Sequence, residues 1–206
     1  MLIVFEGPDG AGKTTLLNLT REILSACGRD VTVFRHLRRP AVVTSPDWPD
    51  AAIAHANYNA LTHMCFECRD LLVDRLWVTD AVYGDVLRRT PYDRSYIRPA
   101  RDFDAVAVVY VTATEAVLRE RRRCHEPMHD FIGKFAVAFE AYFRHLPSSE
   151  AACPVVAVRS DGAFAPHALA RSVVWDLLSV DAERRGLSQK DILRWVDGMF
   201  RGATVS

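Results

Sequence analysis

Gly7, Gly12, Lys13 and Thr14, within the stretch "FEGPDGAGKTTL" at residues 5 to 16, stand at the spacing G-x-x-x-x-G-K-S/T. Residues of these types at this spacing can hold a run of phosphates. A tight glycine-rich loop lets successive backbone N–H groups point inward at an anion, and the helix that follows adds its positive N-terminal end. Gly7, Gly10 and Gly12 supply the permissive backbone, with Ala11 among them. Lys13 would reach the terminal phosphates as a point charge, and Thr14, followed by Thr15 in the same helix, would offer its hydroxyl to Mg²⁺. The expected ligand is a nucleoside triphosphate held with Mg²⁺.

A second constellation lies in "LLVDRLWVTDAVYGDVL", where an apolar strand ends in Asp74-Arg75 and a helix follows. Ligands of open parallel sheets bind outside the carboxyl ends of the strands. An acid placed there can hold Mg²⁺ or orient an attacking oxygen, and the adjacent arginine can neutralise developing charge. A third cluster, Arg119, Arg121, Arg122 and Arg123 in "VLRERRRCHEPMHD", falls near a helix end and runs into a loop. It reads either as a cationic lid or as a solvated helix face on which Glu120 offsets one charge. His125 and His129 are four apart with no third ligand type at a helical position beyond Glu126 and Asp130, so a metal site is not expected. Cys65 and Cys68 make a lone C-x-x-C in a helical pattern, which reads as packing rather than redox or metal chemistry.

These groups need a scaffold. Short apolar runs alternate with amphipathic stretches, the pattern of a parallel sheet covered by helices on both faces. Strands are expected near residues 2 to 6, 31 to 35, 71 to 74, 105 to 111 and 154 to 158. Helices are expected over about 13 to 26, 51 to 69, 79 to 89, 113 to 123, 130 to 145 and 166 to 179. The continuous apolar character of "LIVF" and "AVAVVYV" suits strands buried on both sides. Between them, "TPYDRSYIRPARDFD" at residues 90 to 104 is a polar loop carrying Arg94, Arg98 and Arg101.

At 206 residues, half of them apolar and a quarter charged, the chain has the composition of a globular domain. Its formal charge of zero gives no support to non-specific nucleic-acid binding through overall charge. Five cysteines without a framework spacing argue for a reducing compartment. No apolar run approaches the length of a membrane span, so a cytoplasmic setting without membrane contact is expected. Residues 1 to 180 read as the core, with a lid near 119 to 130, and residues 181 to 206 as a helical appendage. In that appendage Ser188 and Asp191 resemble a capping box, and Ile192, Leu193, Trp195, Val196, Met199 and Phe200 form one apolar face. That face either packs back onto its own domain or serves a partner, a homodimer included.

"FEGPDGAGKTTL" resembles the P-loop of thymidylate kinases and the related deoxynucleoside kinases, and the strand-end Asp74-Arg75 is similar to theirs. The resemblance implies a P-loop NTPase fold of three α/β/α layers, with five parallel strands in the order 2-3-1-4-5. It implies transfer of the γ-phosphoryl of ATP to a deoxynucleoside monophosphate, with Lys13, Asp74 and Arg75 as the catalytic set and Thr14 and Asp74 at the metal. Asp9 would face the sugar of the acceptor. Some members carry an arginine within the P-loop; Gly10 and Ala11 stand there in this chain, so the missing charge would come from the lid, with Arg119 and Arg123 against the donor. By position alone, Arg159, Asp161 and Gly162 would form the loop that contacts adenine.

The likeness is concentrated in residues 3 to 16 and 71 to 87. The Arg-Glu-Pro-Gly-Gly type turn expected after strand two is replaced by "FRHLRRPAV", and the Ala-Asp-Arg segment before Asp74 by "HANYNALTHMCFECRD". Thymine specificity is therefore not implied. In their place Arg35, Arg38 and Arg39 leave strand two where the acceptor phosphate would lie. On the helix that follows, His55, Tyr58, Asn59 and Thr62 share a face, and the Asn59 amide could read a base edge. Arg35, Arg38 and Asn59 join Asp9 and Arg75 as the expected acceptor contacts. Two rival readings stand beside this one: the same chemistry on a free nucleoside or on a hydroxylated base in DNA, and a nucleotide-binding switch with no acceptor.

Overall fold

Ile3 and Phe5 face one side of the sheet and Leu2 and Val4 the other, each set inside its own apolar cluster. Both faces of strand β1 (Leu2–Glu6) are therefore covered, which is why its apolar residues run on without polar alternation. The same holds for β3 (Asp70–Asp74) and for β4 (Val106–Thr112), where Ala107, Val109 and Val111 lie on the first side and Val106, Val108 and Tyr110 on the second. The computed structural model describes residues 1–35, 50–87, 106–121, 131–145, 153–162 and 165–202.

The remaining elements are α1 (Lys13–Ala26), β2 (Val31–Arg35), α2 (Asp50–Glu67), α3 (Trp77–Leu87), α4 (Glu115–Arg121), α5 (Ile132–Arg144), β5 (Val155–Arg159), α6 (Pro166–Arg184) and α7 (Gln189–Gly202). All strand pairs are parallel, in the order β2-β3-β1-β4-β5, as expected from the sequence. Helices α1, α6 and α7 cover one face through Leu16, Leu17, Leu24, Val174, Leu177 and Val196. Helices α2, α3 and α5 cover the other through Tyr58, Leu61, Trp77, Val82, Phe135 and Phe139. This is a three-layer α/β/α fold. Among the described residues no helix is long and apolar enough to cross a membrane.

Several boundaries differ from expectation for identifiable reasons. Helix α3 starts at Trp77, not residue 79, because a buried acceptor from β1 takes the amides of its first turn. Helix α4 starts at Glu115, not residue 113, because the Thr114 amide is drawn off to Asp161 at 2.6 Å. Helix α6 continues past 179 to Arg184, carried by Asp181, whose carboxylate accepts from Arg29 (3.1 Å) and from Arg185 one turn on (3.0 Å). Residue 181 thus lies inside a helix.

In the last helix, the Ser188 hydroxyl donates to Asp191 Oδ2 at 2.5 Å and accepts from the Asp191 amide at 3.3 Å, the capping pair the sequence suggests. Ile192 and Val196 join the core on the α1/α6 side and Trp195 packs against it. Leu193 does not share that face. It follows Ile192 by one residue, about 100° around the helix, and is 48% exposed. The side chains of Met199 and Phe200 lie outside the described residues.

Candidate functional site

The phosphate loop is a constraint of packing before it is a site. Leaving β1, the chain passes Gly7 at φ 140°, where an added Cβ would come 2.0 Å from the Val111 carbonyl oxygen of β4. No other residue type fits. The turn closes with Gly12 at φ 86°, the left-handed N-cap of α1, and no side chain caps that helix. Its first amides are thereby presented to the loop interior. Lys13 is buried and its Nζ donates to the Pro8 carbonyl at 2.8 Å, so the ammonium folds over its own loop.

Parallel register carries the second group to the first. Asp74 lies opposite Phe5 on β1 and opposite Arg35 on β2, which places the carboxyl ends of three strands side by side. There the Thr14 hydroxyl donates to Asp74 Oδ2 at 2.9 Å. Asp74 is 7% exposed, and its Oδ1 is buried without a hydrogen-bond partner among the described residues. A half-satisfied buried carboxylate beside a hydroxyl is an oxygen-only donor set, which suits a hard divalent cation such as Mg²⁺.

Arg75 has φ 74°, a left-handed backbone rarely adopted by a residue with a side chain. Its amide donates to the Phe5 carbonyl at 3.1 Å. Its guanidinium pairs with Asp9 of the phosphate loop and donates to the Tyr83 hydroxyl at 3.1 Å, standing 5.6 Å over the Tyr83 ring. Arg75 Nε is buried without a partner among the described residues. Tyr83 in turn stacks on Phe135 of α5, ring centroids 4.2 Å apart. The fold therefore brings together Asp9, Lys13 and Thr14 from one stretch of chain and Asp74 and Arg75 from another.

The arginines of α4 divide. Arg119 is occupied one turn back by Glu115, with Nε and Nη2 at 2.8 and 2.7 Å from Oε1. Arg121, two residues on and on the opposite side of the helix, reaches the phosphate loop: Nη1 donates to the Gly10 carbonyl (3.2 Å) and to Ser160 Oγ (2.9 Å), and Nη2 to the Ser160 carbonyl (3.1 Å). The loop after β5 is fixed here by Asp161, which accepts from Arg159 (3.1 and 3.2 Å) and the Thr114 amide. Arg159 and then that amide hold the Asp161 carboxyl well below the usual carboxylate range.

Of the residues expected to contact an acceptor, Arg35 is exposed at the end of β2 and Asn59 is exposed on α2, whereas Asn57 and Tyr58 beside it are fully buried. Ala11 is buried within the phosphate loop, and Thr15 is exposed on the first turn of α1. Arg38 and Arg123, with Arg94, Arg98 and Arg101, lie outside the described residues.

One further residue of the site is not marked by any motif. Glu6, the last residue of β1, is fully buried. Its Oε1 accepts from the Leu76 amide (2.9 Å) and the Val78 amide (3.2 Å), and its Oε2 from the Thr79 hydroxyl (2.5 Å). Burial pushes its carboxyl up, against the opposing effect of the Thr79 and Leu76 hydrogen bonds. The signal was a charge at the end of an otherwise apolar strand.

No family model matches the chain. Over 35 residues it is 60% identical to the thymidylate kinase of Bacillus velezensis, a match that covers 17% of this chain and 16% of that enzyme. Among solved structures it is similar to the YorR protein of Bacillus subtilis, crystallised in complex with phosphorylated GDP, with a TM-score of 0.59 and 17% identity over 90% of this chain and 98% of that one. The two chains share a fold.

Proposed function

We propose that this protein is an ATP- and Mg²⁺-dependent P-loop phosphotransferase that moves the γ-phosphoryl of ATP to a deoxynucleoside monophosphate. The observation that carries this reading is the meeting of two pairs at the mouth of the phosphate loop: Thr14 with Asp74, and Asp9 with Arg75. A nucleotide-binding switch needs the first pair; the second adds an anion-binding guanidinium on the acceptor side of the loop, which a switch does not need. The short identity to a thymidylate kinase and the fold shared with a nucleotide-bound protein support the same class.

In this scheme the backbone amides of Gly10, Gly12, Lys13 and Thr14 and the Lys13 ammonium hold the donor phosphates, the ammonium leaving the Pro8 carbonyl to do so. Thr14 and Asp74 would hold Mg²⁺, whose charge would offset that of the donor phosphates. Arg75 meets the acceptor phosphate, Asp9 orients that guanidinium or the acceptor sugar, and Arg121 supplies the cation that Gly10 and Ala11 do not. Catalysis is then positioning and charge neutralisation, with closure over the site keeping water from competing as acceptor.

The test is an acceptor screen with γ-labelled ATP against deoxynucleosides, deoxynucleoside monophosphates and DNA, with product identification. Label in a nucleoside diphosphate is the expected result. Label in a nucleoside monophosphate or in DNA would reassign the acceptor, and label only in inorganic phosphate would return the protein to the class of switches.

A further inference from the structure

Two successive residues of β1 grip two successive amides of the opposite loop. The Phe5 carbonyl takes the Arg75 amide at 3.1 Å, and Glu6 Oε1 takes the Leu76 amide at 2.9 Å. Between those two bonds lies the left-handed backbone of Arg75 (φ 74°). Such a conformation persists in a residue with a Cβ only where its surroundings over-determine it. The same carboxylate takes the Val78 amide and the Thr79 hydroxyl, so it caps α3 from a different element of the fold, a role that local Ser, Thr, Asp or Asn usually fills. Helix α3 then carries Tyr83, whose hydroxyl and ring receive the Arg75 guanidinium. Glu6 also precedes Gly7, so the residue that fixes the Arg75 turn is bonded directly to the first residue of the phosphate loop.

We propose that Glu6 is a positioning residue, which holds the Arg75 turn and the N-terminus of α3 at a set distance from the phosphate loop so that the guanidinium stands ready for the acceptor. This rests on the phosphotransferase reading for its functional half. Glu6 touches no reactant: its side chain is fully enclosed and its described partners all belong to residues 76 to 79. Its effect on transfer is therefore exerted through Arg75, while the donor side, built on Lys13 and the amides of α1, does not depend on it.

The experiment compares Glu6→Met, which has similar length and cannot accept these bonds, with Glu6→Gln, whose neutral oxygen accepts them more weakly than a carboxylate. Amide hydrogen exchange is followed at Leu76 and Val78, together with affinity for a fluorescent ATP analogue and turnover with the best acceptor. For Glu6→Met we expect exchange at the two amides at least tenfold faster with the β1–β4 ladder unchanged, kcat at least tenfold lower, and ATP affinity within threefold of the parent. Glu6→Gln should fall between, with changes of about threefold, and it carries the test alone if the Met variant does not fold. Unchanged exchange and turnover in the folded variants would overturn the proposal, as would ATP affinity falling in step with turnover, which marks a merely structural role. If the parent phosphorylates no acceptor, the phosphotransferase reading falls by itself and the exchange data still decide whether Glu6 pins the turn.

Discussion

The Thr14 hydroxyl lies 2.9 Å from Asp74 Oδ2, which joins the first turn of α1 to the end of β3 across 60 residues of sequence. The other carboxylate oxygen is buried with no partner among the described residues. An arrangement that leaves one acceptor unsatisfied costs stability unless something occupies it, and a cation shared with Thr14 would do so.

Asp74→Asn keeps the shape and removes the charge. We expect kcat to fall on the order of a hundredfold, with a smaller rise in the KM for ATP and a shift of the Mg²⁺ dependence to higher concentration. A Mg²⁺ titration of initial rates checks this. A variant that differs from the parent only in thermal stability would make Asp74 structural.

Arg121→Gln and Arg119→Gln should differ sharply. Arg121 already bonds the Gly10 carbonyl, whereas Arg119 is held by Glu115 on an exposed face. Removing a cation that acts on the transferring group lowers kcat on the order of tenfold to a thousandfold, and removing an exposed i,i+4 pair changes little. Steady-state kinetics of the two variants side by side would reverse the assignment if Arg119→Gln were the slower.

Far from the site, Arg29 holds Asp70 with two bonds of 2.6 Å and Asp181 at 3.1 Å, and the Met1 nitrogen lies 3.1 Å from Asp70. Burial alone would raise the Asp70 carboxyl, but Arg29 and the Met1 nitrogen prevail and lower it from its ordinary 3.8. A depressed folded value means stability that is complete above the unfolded value and lost as pH falls through the folded one. Asp70→Asn should therefore cost about 1–2 kcal/mol at neutral pH, because it leaves the half-buried Arg29 guanidinium with Asp181 but without its two bonds to Asp70. Denaturant melts across pH should show that deficit constant above about pH 5 and shrinking below about pH 4. A deficit that grows on acidification would contradict the sign.

Most of the scaffold was readable because strands buried on both faces declare themselves as unbroken apolar runs, and because Asp74-Arg75 ends one of them. What escaped was interaction with backbone. Glu6 showed as a charge at a strand end, but its partners are amides 70 and 72 residues away, which no spacing rule reaches. On α2, "HANYNALTH" is polar on every side, so periodicity did not tell that Asn57 and Tyr58 face inward and Asn59 outward. The arginine cluster was visible as a cluster. That Glu115 takes Arg119 follows from a spacing of four, and that Arg121 turns to the phosphate loop follows from the crossing of α4 over the β5 loop, which only the fold supplies.

Delivery of the γ-phosphoryl of ATP from the loop at residues 7 to 14 to a nucleotide acceptor can be followed with label. The most direct measurement follows label from γ-labelled ATP into deoxynucleoside diphosphates with the parent and with Lys13→Ala in parallel, with folding of both verified by circular dichroism. We expect a Mg²⁺-dependent labelled diphosphate from at least one of the monophosphates, reduced on the order of a hundredfold or more in Lys13→Ala, because the loss is of charge at the donor and not of core packing. No labelled diphosphate from any monophosphate, or equal product from the folded Lys13→Ala variant, would contradict it.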